Sequence, residues 1–370
     1  MKTKLPRQEF LEALGAVAAV AGGRTTKPVL GCVHIASEGE SLELSAGDGE
    51  VGLHVRVGAF TVGEPGELVV SAERLLAIVR EMPDAEVQLE SDERHCVIRG
   101  VGSEFRIFLY PPGEFPTIPT FDTDPDIVLD GHCLRRMIEL TSYAAAREMT
   151  RYAINGILWE KRGKRLRLVA TDGRRLACAS GTVGRSGPED FDIIVPLKAM
   201  SVFERVFAPQ RSGEEWPVDI AVTPNQLLLR SGGCVLVTVL VEGTFPKYEE
   251  VIPKASNKVA EANRLELYSA VRRAALLTSE ESRAIRMKFS SDGLTVSARS
   301  AEEGEARVEL PVKYEGDALE IGFNPAFIAE VLKALDCENV RLELQDSFRP
   351  GVISGSDKGA FLYVIMPVSL

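Results

Sequence analysis

Six residues, Gly47-Asp48-Gly49-Glu50-Val51-Gly52, match the spacing GxGxxG, which in a dinucleotide site lets a helix N-terminus approach a pyrophosphate. That chemistry needs a helix directly after the glycines. Here LHVRV follows, alternating and β-branched, so the segment predicts a hairpin turn. The pairs Glu249-Glu250 and Glu302-Glu303 carry the groups of general acid–base chemistry, but neighbouring carboxylates on a turn are ordinarily just solvated. His34, His54, His95 and His132 show no HxxxH or HxH spacing, and no metal is expected. Cys32, Cys96, Cys133, Cys178, Cys234 and Cys337 stand singly without a CxxC, which predicts buried free thiols in a reducing compartment. No Walker A run, GxSxG elbow or HExxH is present, so neither an enzyme nor a cofactor is expected.

The 370 residues carry 43 Lys and Arg against 54 Asp and Glu, a net charge of −11. A uniformly basic nucleic-acid coat is excluded; a basic face inside an acidic average is not. No run of eighteen apolar residues exists, and no membrane partner is expected. The start, MKTKLPR before LGAVAAVAGG, outlines a signal peptide. Glu9 and Glu12 interrupt it, and Leu11, Leu14, Val17 and Val20 recur at helical spacing. This reads as an amphipathic helix in a cytoplasmic protein.

The elements that would position any site repeat three times. Strand-into-helix segments start at Leu68, Asp192 and Glu320, and matching Ser71, Pro196 and Asn324 gives spacings of 125 and 128 residues. Two-strand segments around a polar turn agree: LELSAGDGEVGLHVRV, LRLVATDGRRLACAS and LTVSARSAEEGEARVEL. GEFPTIP and GTFPKYEEVIP recur 130 residues apart. The sequence therefore predicts an α+β chain of three repeated domains, 1–125, 126–253 and 254–370, each with two helices on antiparallel sheets.

Helices are expected over 7–20, 71–82, 131–151, 196–207, 263–278 and 324–336. Together they carry +3, leaving −14 elsewhere. Few aromatic residues lie on them, so phosphate contact fits better than base stacking.

Taken together, the repeat, GGRTTKPVLG, RYAINGILWE, LVATDGRRLA, GTFPKYEEVIP, IGFNPAFIAEVLKAL and YVIMPVSL resemble the bacterial DNA sliding clamp family, the beta subunit of DNA polymerase III, over essentially the whole chain. The resemblance implies the ring-forming DNA clamp fold and a head-to-tail homodimer around double-stranded DNA. Its implied partners are the replicative DNA polymerase, the clamp loader and other proteins with short clamp-binding motifs. The match makes Arg24, Arg80, Arg151, Lys198 and Arg205 the DNA-facing candidates. The peptide pocket would combine Ile154, Thr171, Gly173, Arg174, Arg175, Leu176, Pro246, Val251, Ser347, Val364, Ile365, Met366, Pro367 and Val368. The subunit boundary would set Leu276, Leu277, Glu302, Glu303 and Glu305 against Arg74, Arg106 and Phe108.

Three residues depart from the family pattern. Glu148 stands where a neutral polar residue can occur, and Glu250 and Ser369 where basic ones are common. The competing reading is a clamp-fold peptide scaffold that no longer encircles DNA.

Overall fold

A computed structural model of the chain describes residues 1–22, 27–38, 41–58, 61–148, 152–208, 213–278, 284–355 and 359–369. Among these residues one order of elements occurs three times: strand, helix, five strands, helix, three strands. The first copy runs β1 (Lys2–Pro6), α1 (Arg7–Ala18), β2 (Cys32–Glu38), β3 (Ser41–Gly47), β4 (Val51–Val57), β5 (Thr61–Glu64) and β6 (Gly66–Ser71). It finishes with α2 (Ala72–Glu81), β7 (Glu86–Ser91), β8 (His95–Gly100) and β9 (Ser103–Tyr110). The central copy has β10 (Ile127–Asp130), α3 (Gly131–Thr141), β11 (Gly156–Arg162), β12 (Arg165–Thr171), β13 (Arg175–Thr182), β14 (Arg185–Ser186) and β15 (Phe191–Pro196). Then come α4 (Leu197–Val206), β16 (Pro217–Val222), β17 (Gln226–Ser231) and β18 (Cys234–Val239). The third copy has β19 (Lys258–Asn263), α5 (Arg264–Ala275), β20 (Ile285–Ser290), β21 (Gly293–Ser300), β22 (Gly304–Leu310), β23 (Lys313–Glu315) and β24 (Leu319–Phe323). It ends with α6 (Pro325–Ala334), β25 (Asn339–Leu344), β26 (Gly351–Ser354) and β27 (Phe361–Ile365).

Contacts gather the chain into two compact units that divide the central copy between them: residues 1–132, 183–189 and 198–240, then 133–182, 190–197 and 241–370. The first holds a sheet in the order β14-β10-β16-β17-β18-β4-β3-β2-β6-β9-β8-β7-β1-β5. The second holds β15-β11-β12-β13-β27-β26-β25-β19-β23 and, separately, β22-β21-β20-β24. Each unit is stitched at a boundary between copies by the same event, the ninth strand of one copy pairing antiparallel with the fourth strand of the copy before. In the first unit β18 lies on β4, from Cys234 opposite Val55 to Thr238 opposite Val51. In the second, β27 lies on β13, from Phe361 opposite Ala179 to Ile365 opposite Arg175. One strand of each kind is left over. Among the described residues β9 pairs with β8 and meets β6 only at Leu109 and Tyr110, while β22 pairs only with β21.

Helix starts follow the repeat as the sequence predicts. Ser71 and Asn324 cap α2 and α6 through their side chains, onto the amides of Arg74 and Ala326. In all three copies the first residue of the first helix donates its amide to the residue before the seventh strand: Arg7 to Ala85, Gly131 to Trp216 and Arg264 to Glu338. The arginines also cap the second helix of their copy. The Arg7 guanidinium donates to the carbonyls of Val79 and Arg80, and Arg264 to those of Leu332 and Cys337. In the central copy Trp216 occupies that space, stacked on Phe203. A Cβ on Gly131 would lie 2.2 Å from its indole, so glycine is required there.

Three expectations are corrected. α3 ends at Thr141, not Arg151, and a 3-10 turn, Ser142–Ala144, follows. Thr141 and Ser142 donate their hydroxyls back to the Met137 and Ile138 carbonyls, which competes with continuing the ladder. The core face of α1 is Phe10, Ala13, Leu14 and Val17, with Leu11 only half-buried. Of the cysteines, Cys32, Cys96 and Cys178 are buried, while Cys133, Cys234 and Cys337 are half-buried.

Candidate functional site

The hairpin reading of the glycine segment holds. Gly49 sits at φ +95° between β3 and β4, and Gly173 at φ +83° between β12 and β13. In both turns one aspartate oxygen fastens the bend: Asp48 accepts from the amides of Glu50 and Val51, Asp172 from those of Arg174 and Arg175.

In the second unit this turn borders an apolar cleft. Ala153, Leu158, Val169, Leu176, Cys178, Ile194, Tyr248 and Val364 form one buried cluster on one face of the sheet formed by β15, β11, β12, β13 and β27. Ile154 is buried nearby, and Thr171 donates its hydroxyl to the Arg175 carbonyl. Gly173 and Arg174 are exposed at the turn, and the Met366 amide donates to the Arg174 carbonyl at 2.9 Å. Val251 and Met366 are exposed apolar residues, whereas Pro246, Ser347, Pro367 and Val368 are half-buried. Because Gly351 pairs with Ile365, the loop carrying Ser347 leaves the sheet at the same end as Met366.

Two of the expected pocket residues face the other way. Strand alternation puts Arg175 and Ile365 opposite to Leu176 and Val364. Arg175 is 9% exposed; its guanidinium pairs with Asp172 and Glu330, donates to the Tyr143 carbonyl and lies 4.3 Å from the Phe327 ring centre. It ties β13 to α6 and does not line the cleft. Sequence reasoning missed Tyr248 and Phe348. Tyr248, in the GTFPKYEEVIP segment, donates its hydroxyl to Glu160 at 3.0 Å and holds the inter-copy segment down on the sheet. Burial pushes its hydroxyl pKa well up, so it stays a donor. Phe348 is 88% exposed on the Ser347 loop, held by an Asp346 turn. A lone aromatic between polar residues gives no sequence signal.

Of the phosphate-contact candidates, Arg24 and Arg151 lie outside the described residues. Arg80 and Arg205 are exposed in the last turns of α2 and α4. Both stand nine residues after the matched positions Ser71 and Pro196, and the same count from Asn324 reaches Lys333, exposed in the last turn of α6. Lys333 is absent from the candidates because these follow the family match, whereas counting along the repeat points to it. Lys198 is held by Asp48, with Glu50 at 3.9 Å, and partial burial lowers its pKa. Glu148 is exposed.

The boundary candidates sit at the two leftover strands. On β9, Phe108 is 69% exposed and packs on His95, while Arg106 is exposed and pairs with Glu104 at 3.0 Å. Arg74 is exposed on α2. Beside β22, Leu276 is exposed and Leu277 half-buried; Glu302, Glu303 and Glu305 are exposed around a turn fastened by Ser300.

Among the described residues no group of three His, Cys, Asp or Glu could hold a metal ion, and no helix is long and apolar enough to cross a membrane. The arrangement offers binding surfaces: an apolar cleft, open strand edges and repeated cations.

Comparisons with known proteins agree with that geometry. The N-terminal, central and C-terminal domain descriptions of the DNA polymerase III beta subunit match residues 1–119, 128–247 and 249–369. The beta sliding clamps of Escherichia coli K12 and Pseudomonas putida are each 34% identical, covering 100% of both chains. The crystal structure of the Pseudomonas aeruginosa sliding clamp bound to griselimycin is 33% identical with a TM-score of 0.94, again over 100% of both chains. The Bacillus subtilis clamp, at 23% identity and a TM-score of 0.95 over 100% of this chain and 99% of that one, shares the fold. With three clamp domains in order along its whole length, the chain belongs to the DNA polymerase III beta subunit, or beta sliding clamp, family.

Proposed function

We propose that the chain closes head to tail with a second copy into a ring around duplex DNA. On this reading the cleft of the second unit receives peptide segments of the replicative polymerase, the clamp loader and other partners. As a DNA polymerase III beta subunit the chain is a non-catalytic processivity factor. The domains of the ring are the three copies, taken as 1–125, 126–253 and 254–370.

The leftover strands carry this reading. Inside the chain both boundaries between copies are a ninth strand on a fourth strand, and among the described residues the remaining ninth strand, β9, and fourth strand, β22, lack that partner. A second copy supplies both, and an interface of this heterologous kind closes a ring when its rotation closes. The inner register, copied onto these edges, sets Ile107 opposite Gly304, Arg106 opposite Glu305 and Glu104 opposite Arg307. Two positions on one face of the strand, two residues apart, then face opposite charges. Arg80, Arg205 and Lys333 give each copy one equivalent exposed cation for phosphates without base readout.

The test is retention after loading on nicked circular and on linearised DNA. Stable retention on circles with escape from free ends supports a topological ring. Equal loss from both points to the peptide scaffold that no longer encircles DNA.

A further inference from the structure

The boundary between the first and central copies repeats the construction of the cleft. Gly49 and the Asp48 turn stand for Gly173 and the Asp172 turn, and the Val239 amide donates to the Glu50 carbonyl at 2.9 Å as Met366 donates to Arg174. In this register Val237 corresponds to Val364, Val239 to Met366 and Gly52 to Leu176, while the shared Phe-Pro motif matches Pro116 to Pro246. These residues of the first unit line a mainly apolar cavity of about 110 Å³. Two exchanges set its size and charge. Ile118, in the place of Tyr248, fills the floor that Leu176 supplies in the other cleft; a Cβ on Gly52 would come within 2.4 Å of it. Glu50, in the place of Arg174, puts a carboxylate on the lip; its side chain is 63% exposed, with the Lys198 ammonium 3.9 Å away and closer to Asp48.

We propose that this boundary is a second, smaller docking pocket, which takes one aliphatic side chain of a linear peptide whose neighbouring lysine or arginine faces Glu50. The inference rests on reading the larger cleft as a peptide site. The cavity holds a single side chain, the 39% exposed Val239 supplies an apolar lip, and the carboxylate selects the flanking charge.

Methyl-labelled full-length protein titrated with acetyl-Leu-Lys-amide or acetyl-Leu-Asp-amide separates the two sites. Expected are shifts at Ile118, Val237 and Val239 that are stronger with the lysine peptide. Val239→Lys should abolish them, and Glu50→Gln should reduce the lysine preference by about two- to fivefold. Shifts confined to Ile154, Val251 and Val364 would overturn the second pocket while leaving the larger cleft intact. Shifts confined to Ile118, Val237 and Val239 would support the second pocket and count against the larger cleft. Equal responses to both peptides, or shifts that survive Val239→Lys, also overturn it, and silence at every one of these methyls overturns both readings.

Discussion

Arg175 fastens β13 to α6 through its ion pair with Glu330 and its contact with the Phe327 ring. The TDGRR segment offers two adjacent arginines, and only the strand alternation separates them: Arg174 meets solvent, Arg175 meets Glu330, Asp172 and Phe327. Removing a buried guanidinium strands its carboxylates, although the partly exposed Glu330 recovers water. Arg175→Met should cost about 2 kcal/mol, read as a lower urea midpoint for the second unit with an unchanged slope. Glu43 supplies a pH-dependent counterpart. Its hydrogen bond with His54 lowers the carboxyl pKa below its ordinary 4.5, against an opposing push from burial. A lowered carboxyl stabilises the fold above its unfolded pKa, and this is lost as pH falls through the folded value. Wild type should therefore exceed Glu43→Gln in chemical-denaturation stability at neutral pH, with the gap closing below about pH 4. Burial raises the Cys32 and Cys178 thiols to about 11 and Cys96 to about 12, so these three are poor nucleophiles at neutral pH.

Among the elements, the three equivalent helix pairs solve one problem in two ways. Arg7 and Arg264 cap the second helix of their copies with guanidinium hydrogen bonds; Trp216 does the work by packing. Trp216→Ala should cost about 3–5 kcal/mol by cavity formation. Adding Gly131→Arg to that variant should restore part of the loss in thermal unfolding, because the space then admits the cap used elsewhere. Most helices, and the hairpin at Gly49, were legible because capping residues, alternation and the repeat all agreed. The end of α3 was not, since Thr141 and Ser142 read as ordinary helix residues until their hydroxyls are seen taking carbonyls. The apolar cleft was legible only through family resemblance. Its floor gathers Leu158, Leu176, Tyr248 and Val364, which no local pattern connects.

Across the whole molecule, charge and pairing act together. The helix bounds observed still sum to +3 within a chain of −11, so the acidic average hides equivalent exposed cations on α2, α4 and α6. The proposed register makes a sharp demand on the subunit boundary. Arg106→Glu and Glu305→Arg should each weaken dimerisation in sedimentation equilibrium, and combining them should recover much of the loss. Two single effects that merely add would remove the pairing of these residues.

The stitching of sheets across copies has a consequence for dilution. At each inner boundary the paired strands are held on one chain, so each finds its partner at the high effective concentration of a tether. The proposed outer boundaries use the same kind of pairing with no tether. Lowering protein concentration should part the assembly at β9 and β22 while β4 with β18 and β13 with β27 remain joined.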